Sequence, residues 1–257
     1  MLRILSWLTL LGFLTWTYAS GAAADPSPLL RYGAPDSNIL QPPDNFLIGT
    51  PDRTRCPRWT LERLDSRALR GEASRDLANW HSDPRVPKEW RVTAKAYAEA
   101  EQPYDRGHLA CAANHANNAA AMTATFTFSN TMPQVPSLNR GLWSQLERQV
   151  RDAARQPKTA AWVITMPIWR PNKAGTLTAQ TIGEGVWIPT HCGKALLLDS
   201  DGTLSLQCWL LPNAVLAGKL DDYLVTGDQL EAASGLDIFS GLPDDTEDWL
   251  ESQILGK

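Results

Sequence analysis

The sequence predicts a domain that mixes strands and helices, and three patterns carry this prediction. Apolar or alternating runs separated by Gly, Asp and Pro are typical of β-strands. One long segment places apolar residues at the spacing of an amphipathic helix. The tetrapeptide Asp199-Ser200-Asp201-Gly202 lies between two of the strand-like runs and predicts a hairpin turn.

The first residues have the pattern of a secretory signal. Arg3 is the only charge before Asp25, and an apolar run from Ile4 to Trp16 is followed by small residues ending Ala22-Ala23-Ala24. This predicts a signal peptide over residues 1–24, cleaved before Asp25. The alternative, a membrane anchor, needs about 20 apolar residues, more than this run offers. We therefore expect a secreted or periplasmic protein, with the mitochondrial intermembrane space as the alternative address.

The elements follow in order along the chain. Residues Asp25 to Asp44 hold five prolines and predict an extended arm, followed by a domain over 45–243 and an acidic tail over 244–257. Helices are predicted at Ser137 to Arg155, with Ser137 as the cap, at Leu220 to Ser234, and in the tail from Asp244 to Leu255. Strands are predicted at Phe46 to Gly49, Arg58 to Glu62, Ala161 to Ile168, Gly185 to Pro189, Lys194 to Leu198 and Leu204 to Leu211.

Charge is unevenly distributed along the 257 residues, which carry a net charge of −4. Between Asp25 and Leu198 there are 21 basic and 16 acidic residues, whereas Asp199 to Lys257 holds 2 basic and 12 acidic residues. A polyanion is bound mainly by Lys and Arg, so the basic part is the candidate for nucleic-acid binding. A solvated surface would produce the same asymmetry.

Four cysteines, Cys56, Cys111, Cys192 and Cys208, permit two disulfides in three connectivities in an oxidising compartment. Cys192 and Cys208 flank the predicted hairpin and would bridge it if the register set them opposite one another. Four buried thiols are the alternative.

The segment from Tyr104 to Glu147 concentrates the chemistry of the chain and reads YDRGHLACAANHANNAAAMTATFTFSNTMPQVPSLNRGLWSQLE. It resembles the DNA/RNA non-specific endonucleases, the ββα-metal or His-Me finger group, and is most similar to the endonuclease G branch. The resemblance implies an α+β fold with a mainly antiparallel central sheet flanked by helices. It also implies Mg²⁺-dependent hydrolysis of DNA and RNA to products with 5′ phosphates.

A histidine with an ordinary pKa near 6.5 can accept a proton from a nucleophilic water near neutral pH. His108 is the predicted general base. The family pattern makes Asn139 the metal ligand through its amide oxygen and Glu147 the residue that orients a metal-bound water. Mg²⁺ prefers oxygen ligands and retains several waters, so few protein ligands suffice; Mn²⁺ is the alternative metal. Asn139, Trp143 and Glu147 are four residues apart and are expected on one helical face, although Asn139 would also serve as a simple capping residue.

Other polar residues of the segment have less specific assignments. Arg106 and Arg140 either bind phosphate or form ion pairs, and the resemblance supports a site role for Arg106. Arg75 lies upstream of Trp80-His81-Ser82-Asp83 and is the candidate for a further family arginine. Asn130 matches a family asparagine near the metal and equally fits a turn residue. Asp105 is predicted to position Arg106 or the backbone.

Three alternatives use the same residues. His108, Cys111, His115 and Cys192 have a spacing that zinc could use, although His115 and Cys111 are expected to pack. A catalytically inactive nucleic-acid-binding protein of the same fold is the second alternative, and a metal-dependent phosphodiesterase on another substrate is the third. The sequence leaves a homodimer open and identifies no inhibitor protein.

Overall fold

The computed structural model describes residues 27–40, 46–101 and 103–254, so the predicted signal peptide lies outside the described residues. The strands are β1 Ile39–Leu40, β2 Phe46–Gly49, β3 Thr60–Asp65, β4 Asp105–His108, β5 Thr131–Gln134, β6 Thr159–Ile168, β7 Thr181–Ile182, β8 Val186–Trp187, β9 His191–Ser200, β10 Thr203–Pro212 and β11 Leu224–Val225. The helices are α1 Ala94–Ala98, α2 Ala119–Ala124, α3 Pro136–Leu138, α4 Ser144–Ala154, α5 Gly227–Ser234 and α6 Asp244–Glu251.

Within the described residues, seven strands form one antiparallel sheet in the order β1-β2-β3-β6-β9-β10-β11. The predicted α+β fold with a mainly antiparallel central sheet is confirmed. The predicted hairpin is the β9–β10 connection, where Thr203 pairs with Ser200. Asp201 and Gly202 adopt φ of 54° and 88°, and two consecutive positive φ angles give the turn that best matches the twist of paired strands.

The central sheet is covered on both faces, and β6 shows how the sequence divides between them. Ala161 and Val163 pack into one core, whereas the alternating residues Trp162, Ile164 and Met166 pack into the other. The first core contains the long helix α4, and the second contains residues of α5, α6 and the N-terminal segment. The site described below lies on the first side.

The long helix occupies the predicted range but is interrupted. α3 leads into a π-helical turn, Asn139–Trp143, in which Gly141 has non-helical angles, and α4 follows directly. The predicted cap at Ser137 is wrong, because Val135 precedes the first turn and Pro136 opens it. π-helical turns inside α-helices are frequent at functional sites.

Two further segments differ from expectation. The predicted helix over 220–234 is broken into a 3₁₀ turn at Leu220–Tyr223, strand β11 and helix α5, because β11 pairs with β10 and interrupts the helix. In the predicted arm, Leu29 and Tyr32 are buried, and Ile39–Leu40 adds an edge strand to the sheet.

All four cysteines are buried and unpaired in the structure. Cys192 lies opposite Leu211 and Cys208 opposite Ala195. The hairpin register therefore does not set the two cysteines opposite one another, as a disulfide across the hairpin would require. No helix of the described residues has the length and apolar character needed to cross a membrane.

Candidate active site

A cleft of about 570 Å³ lies between the β4–β5 hairpin and the long helix. It brings together five of the six predicted site residues, Arg75, Arg106, His108, Asn139 and Glu147; Asn130 does not line it. The other residues that line the cleft are Trp80, Asp105, Cys111, Ala112, Ala113, Arg140, Ser144 and Arg151.

His108 ends strand β4, where its backbone pairs with Thr131. Its ring packs against Trp80 and Phe126, with centroid distances of 4.8 and 5.0 Å. Nε2 is buried and has no hydrogen-bond partner among the described residues. Burial lowers the pKa of His108 to about 3, with the charge of Arg75 acting in the same direction. The imidazole is therefore neutral at pH 7 and able to accept a proton.

Trp80 owes its place beside His108 to the backbone that follows it. His81 donates from its backbone nitrogen to the carbonyl of Phe126 at 3.1 Å and accepts from the nitrogen of Phe128 at 3.0 Å. This short parallel bridge draws Trp80 against the two phenylalanine rings, at 5.0 and 5.8 Å. The result is an aromatic wall along one side of the cleft.

The same wall holds the guanidinium of Arg106, which lies 5.7 Å from the ring centroids of both Trp80 and Tyr97. A planar guanidinium stacks well on aromatic faces and keeps its edge donors free for an anion. Nε of Arg106 is buried and unpartnered among the described residues. Arg75, an exposed residue, lies 5.8 Å from the ring of Phe126. The two cations thus lie against Trp80 and Phe126, the two rings that pack on His108.

Asp105 connects the hairpin to the π-helical turn. Its Oδ2 accepts hydrogen bonds from Nδ2 of Asn139 and Nε of Arg140, both at 2.8 Å, and Oδ1 accepts from Arg140 at 2.6 Å. Burial alone would raise the pKa of Asp105, but the bonds from Arg140 and Asn139 outweigh it and the net pKa is lowered. Asp105 was predicted to position Arg106 or the backbone, but its side-chain partners are Asn139 and Arg140. It positions Asn139, whose amide oxygen remains for a cation.

Glu147 lies half-buried on α4 and lines the cleft together with Asn139, as the helical spacing predicted. Trp143, expected on the same face, is instead fully buried in the core, because the π-helical turn rotates the residues between. Burial raises the pKa of Glu147, and the positive charge of Lys194 opposes that shift. Lys194 is itself buried, donates to the Thr165 hydroxyl and lies 4.8 Å from the Trp143 ring.

Beneath the cleft, Glu62 forms a buried hydrogen bond with His115. Its Oε1 lies 3.0 Å from His115 Nε2 and accepts a hydrogen bond from Asn114 Nδ2, also at 3.0 Å. These contacts anchor the short 3₁₀ turn at Ala112–His115 to strand β3. The prediction that His115 packs is consistent with this position.

Asn130 is fully buried and holds the chain that follows His108. Its Oδ1 accepts from the Ala110 nitrogen, and its Nδ2 donates to the carbonyls of Ala110 and Thr125, each at 2.9 Å. Asn130 was predicted either near the metal or in a turn. In the structure its side chain bonds only to backbone groups among the described residues. It orders the loop behind the imidazole.

The donors fit a hard cation better than zinc. No group of three or more His, Cys, Asp or Glu side chains in the described part of the chain is arranged to hold a metal. Two residues of the zinc alternative have other partners, because His115 contacts Glu62 and Cys192 accepts from Gln134 at 3.6 Å. An amide oxygen of Asn139 with the carboxylate of Glu147 near it suits a Mg²⁺-like ion that keeps most of its waters.

An antiparallel hairpin that presents a histidine, followed by a helix that presents an amide oxygen, defines the ββα-metal class of phosphodiester hydrolases. The chain belongs to the DNA/RNA non-specific endonuclease family, whose model matches residues 25–245. Enzymes of this family are metal-dependent nucleases.

Individual relatives point to the endonuclease G branch that the motif predicted. The chain is 35% identical to mitochondrial endonuclease G of Bos taurus over 223 residues, which is 84% of this chain and 74% of that protein. It is 31% identical to the mitochondrial nuclease EXOG of Danio rerio, covering 82% and 64% of the two chains. A solved structure described as the EndoG/EndoGI complex superimposes with a TM-score of 0.80 at 27% identity, covering 91% of this chain and 99% of the other.

Sequence reasoning missed several residues that shape the site. Glu62 and Lys194 lie on strands far from the motif, and their burial in the site-side core has no local signal. The strand register brings the two residues near each other. Thr165 pairs with Thr60, on the strand that carries Glu62, and also with Lys194. Trp80 belongs to the segment Trp80-His81-Ser82-Asp83, which the sequence analysis identified. Its contact with His108 is visible only in the folded structure.

Proposed function

We propose that the protein hydrolyses phosphodiester bonds of DNA and RNA without sequence selection, using Mg²⁺ and leaving 5′ phosphates. One observation carries the proposal. His108 and Arg106 line the same cleft as Asn139 and Glu147, and each has a buried nitrogen, Nε2 and Nε respectively, without a hydrogen-bond partner among the described residues. A proton acceptor, an anion-binding group and oxygen ligands therefore meet in one place.

In the proposed reaction, neutral His108 accepts a proton from the attacking water as the new P–O bond forms. Arg106 and Arg75 hold the nonbridging phosphate oxygens, and the bond to the 3′ oxygen breaks on the opposite side of phosphorus. Bound Mg²⁺, held by Asn139, would supply charge stabilisation at the phosphoryl group. A phosphate anion beside the imidazole favours its protonated form, so substrate raises the low pKa of His108 toward neutrality. Glu147 orients a second water, which donates a proton to the departing 3′ oxygen.

Lack of sequence selection follows from the groups in the cleft. Guanidinium and amide groups that contact phosphate position a nucleic acid but do not read its bases. The cleft is lined by three exposed or half-buried arginines besides Arg106, namely Arg75, Arg140 and Arg151. We accordingly propose both DNA and RNA as substrates.

The test is incubation of the purified mature protein with plasmid DNA and with RNA, each with Mg²⁺, with Mn²⁺ and with chelator. Degradation that requires Mg²⁺ and yields 5′-phosphate ends is the expected result. Degradation unaffected by chelator would refute the metal-dependent mechanism. Binding without degradation under every metal condition would favour the inactive binding protein.

For localisation, we propose that residues 1–24 direct export and are removed. The pattern of Arg3 followed by an apolar run and Ala22-Ala23-Ala24 supports this, whereas the relatives above carry mitochondrial names. N-terminal sequencing of the protein recovered from its native cells is the test. A mature terminus at Asp25 in the secreted or periplasmic fraction is expected, and recovery from mitochondria would overturn the assignment.

A further inference from the structure

A second cavity, of about 490 Å³, begins one residue away from the active-site cleft. Tyr104 lines this cavity, whereas its neighbour Asp105 lines the cleft. Adjacent Cα atoms are about 3.8 Å apart, so the linings of the two cavities meet at this point of the chain. We propose that the second cavity binds nucleotides that flank the scissile phosphate. This inference rests on the proposed function.

Asn213 joins the two cavities structurally. It lines the second cavity, and its Oδ1 accepts from the Val135 nitrogen at 2.9 Å, while its Nδ2 donates to the carbonyls of Pro133 and Pro189 at 3.0 Å. Pro133 is the residue that pairs with Arg106 in the β4–β5 hairpin. One side chain therefore fixes the hairpin under the cleft relative to the wall of the second cavity.

The charge of the cavity suits a polyanion. Its lining includes the cation Arg170 and no Asp or Glu. The loop that forms its rim adds the exposed Lys173, and the sequence from Ala153 to Gly183 contains no carboxylate. Among the described residues, no carboxylate lies within salt-bridge distance of Arg170 or Lys173. Two cations are thus available to phosphate.

The rim has internal order before any ligand arrives. Asn172 Oδ1 accepts from the nitrogens of Ala174 and Thr176 at 2.9 and 3.0 Å, and the Arg170 nitrogen donates to the Thr190 hydroxyl at 2.8 Å. Together with the half-buried ring of Tyr104, this gives a charged groove beside an aromatic surface. Single-stranded nucleic acids are bound by that combination, phosphates by the charges and bases by stacking.

The experiment uses a double variant that carries both Arg170→Ala and Lys173→Ala. Its control is the single variant Lys158→Ala. Lys158 is an exposed cation at the opposite end of strand β6, about 30 Å away for a ten-residue strand. Binding of a fluorescein-labelled 16-nucleotide single strand is measured by anisotropy, with chelator and in a His108→Ala background. Cleavage of 16- and 4-nucleotide strands is measured with His108 intact, and melting temperatures confirm folding.

The double variant is expected to bind the 16-mer about tenfold more weakly and to keep its kcat and its KM for the 4-mer. The slope of log K against log salt should fall by about 1.4, because each lost phosphate contact on a single strand contributes about 0.7. Lys158→Ala should change neither quantity. The subsite would be overturned if the double variant and Lys158→Ala weakened binding of the 16-mer equally. It would also be overturned if the double variant impaired the 16-mer and the 4-mer to the same extent. A wild-type protein that binds but never cleaves would refute the proposed function and leave the anisotropy result to decide the subsite.

Discussion

Asp105 Oδ2 accepts a hydrogen bond from Asn139 Nδ2 at 2.8 Å, and this contact ties the histidine-bearing hairpin to the helix that carries the proposed metal ligand. It fixes which way the Asn139 amide is presented. The nitrogen is committed to the carboxylate, so the oxygen is the atom that remains for a cation. The motif contained both residues but gave no indication that they touch.

Asp105→Ala is therefore expected to weaken metal binding without removing the ligand. Loss of a residue that orients a metal ligand typically costs 10- to 100-fold in affinity or activity. The metal concentration for half-maximal cleavage should rise by about that factor, measured by Mg²⁺ titration. Arg140→Ala, which removes the exposed partner of Asp105, is the matched control and should shift the titration less. Identical curves for Asp105→Ala and wild type would contradict the positioning role.

His108→Ala is expected to abolish most cleavage while preserving substrate and metal binding. Removing a general base typically costs 10²- to 10⁴-fold in rate. Plasmid degradation gives the rate, and anisotropy with a labelled oligonucleotide gives binding. Lys158→Ala is the control, because Lys158 is exposed and lines neither the cleft nor the second cavity. Unchanged plasmid degradation by His108→Ala would eliminate the assignment.

Arg75→Ala should raise the pKa of His108. A nearby cation disfavours the imidazolium, so its removal lets the pKa of His108 rise from about 3 toward its ordinary value near 6.5. Imidazole resonances followed by NMR between pH 2 and 8 measure the shift directly, and the acid limb of kcat/KM should move to higher pH. Arg70→Ala removes an exposed cation outside the cleft and should leave both unchanged. A His108 titration unaltered by Arg75→Ala would show that Arg75 is remote in solution.

The sequence predicted most of the sheet because its strands are apolar on both faces and bounded by Gly, Pro and Asp. It also predicted the content of the cleft, since Arg106, His108, Asn139 and Glu147 lie in one short motif. It did not predict the π-helical turn at Asn139–Trp143, which breaks the regular four-residue spacing of the helix. Likewise, the strand at Leu224–Val225 is imposed by pairing with β10, which overrides local helical preference.

Buried charges were the least predictable feature, because their partners come from distant parts of the chain. Glu62 and His115 are 53 residues apart in sequence and meet at 3.0 Å. A fully buried carboxylate in strand β3 has the local appearance of an ordinary alternating polar position. The role of Glu62 becomes visible only in the folded structure, where it contacts the 3₁₀ turn that follows His108.

Glu62→Ala is expected to destabilise the protein strongly, because it leaves the polar groups of Asn114 and His115 buried without their partner, and each such group typically costs about 1–3 kcal/mol. Denaturant unfolding measures the loss. Asp65→Ala, on the same strand, removes the half-exposed ion pair to Arg63 and two hydrogen bonds from the nitrogens of Arg67 and Ala68, and should cost less. Comparable losses from both variants would indicate that the Glu62 network contributes no more than a surface pair.

The acidic C-terminal helix gives a prediction about pH. Burial raises the pKa of Glu251 to about 8, with the carboxylates of Glu231, Glu247, Asp228 and Asp237 adding to the shift. Because the folded pKa exceeds the unfolded value, the carboxyl group contributes stability below about pH 4 that is lost as the pH rises toward 8. Glu251→Gln should therefore raise Tm by a few degrees at pH 8 and by less at pH 5. Asp245→Asn, an exposed change on the same helix, is the control, and a Glu251→Gln effect independent of pH would show that Glu251 is not protonated on folding.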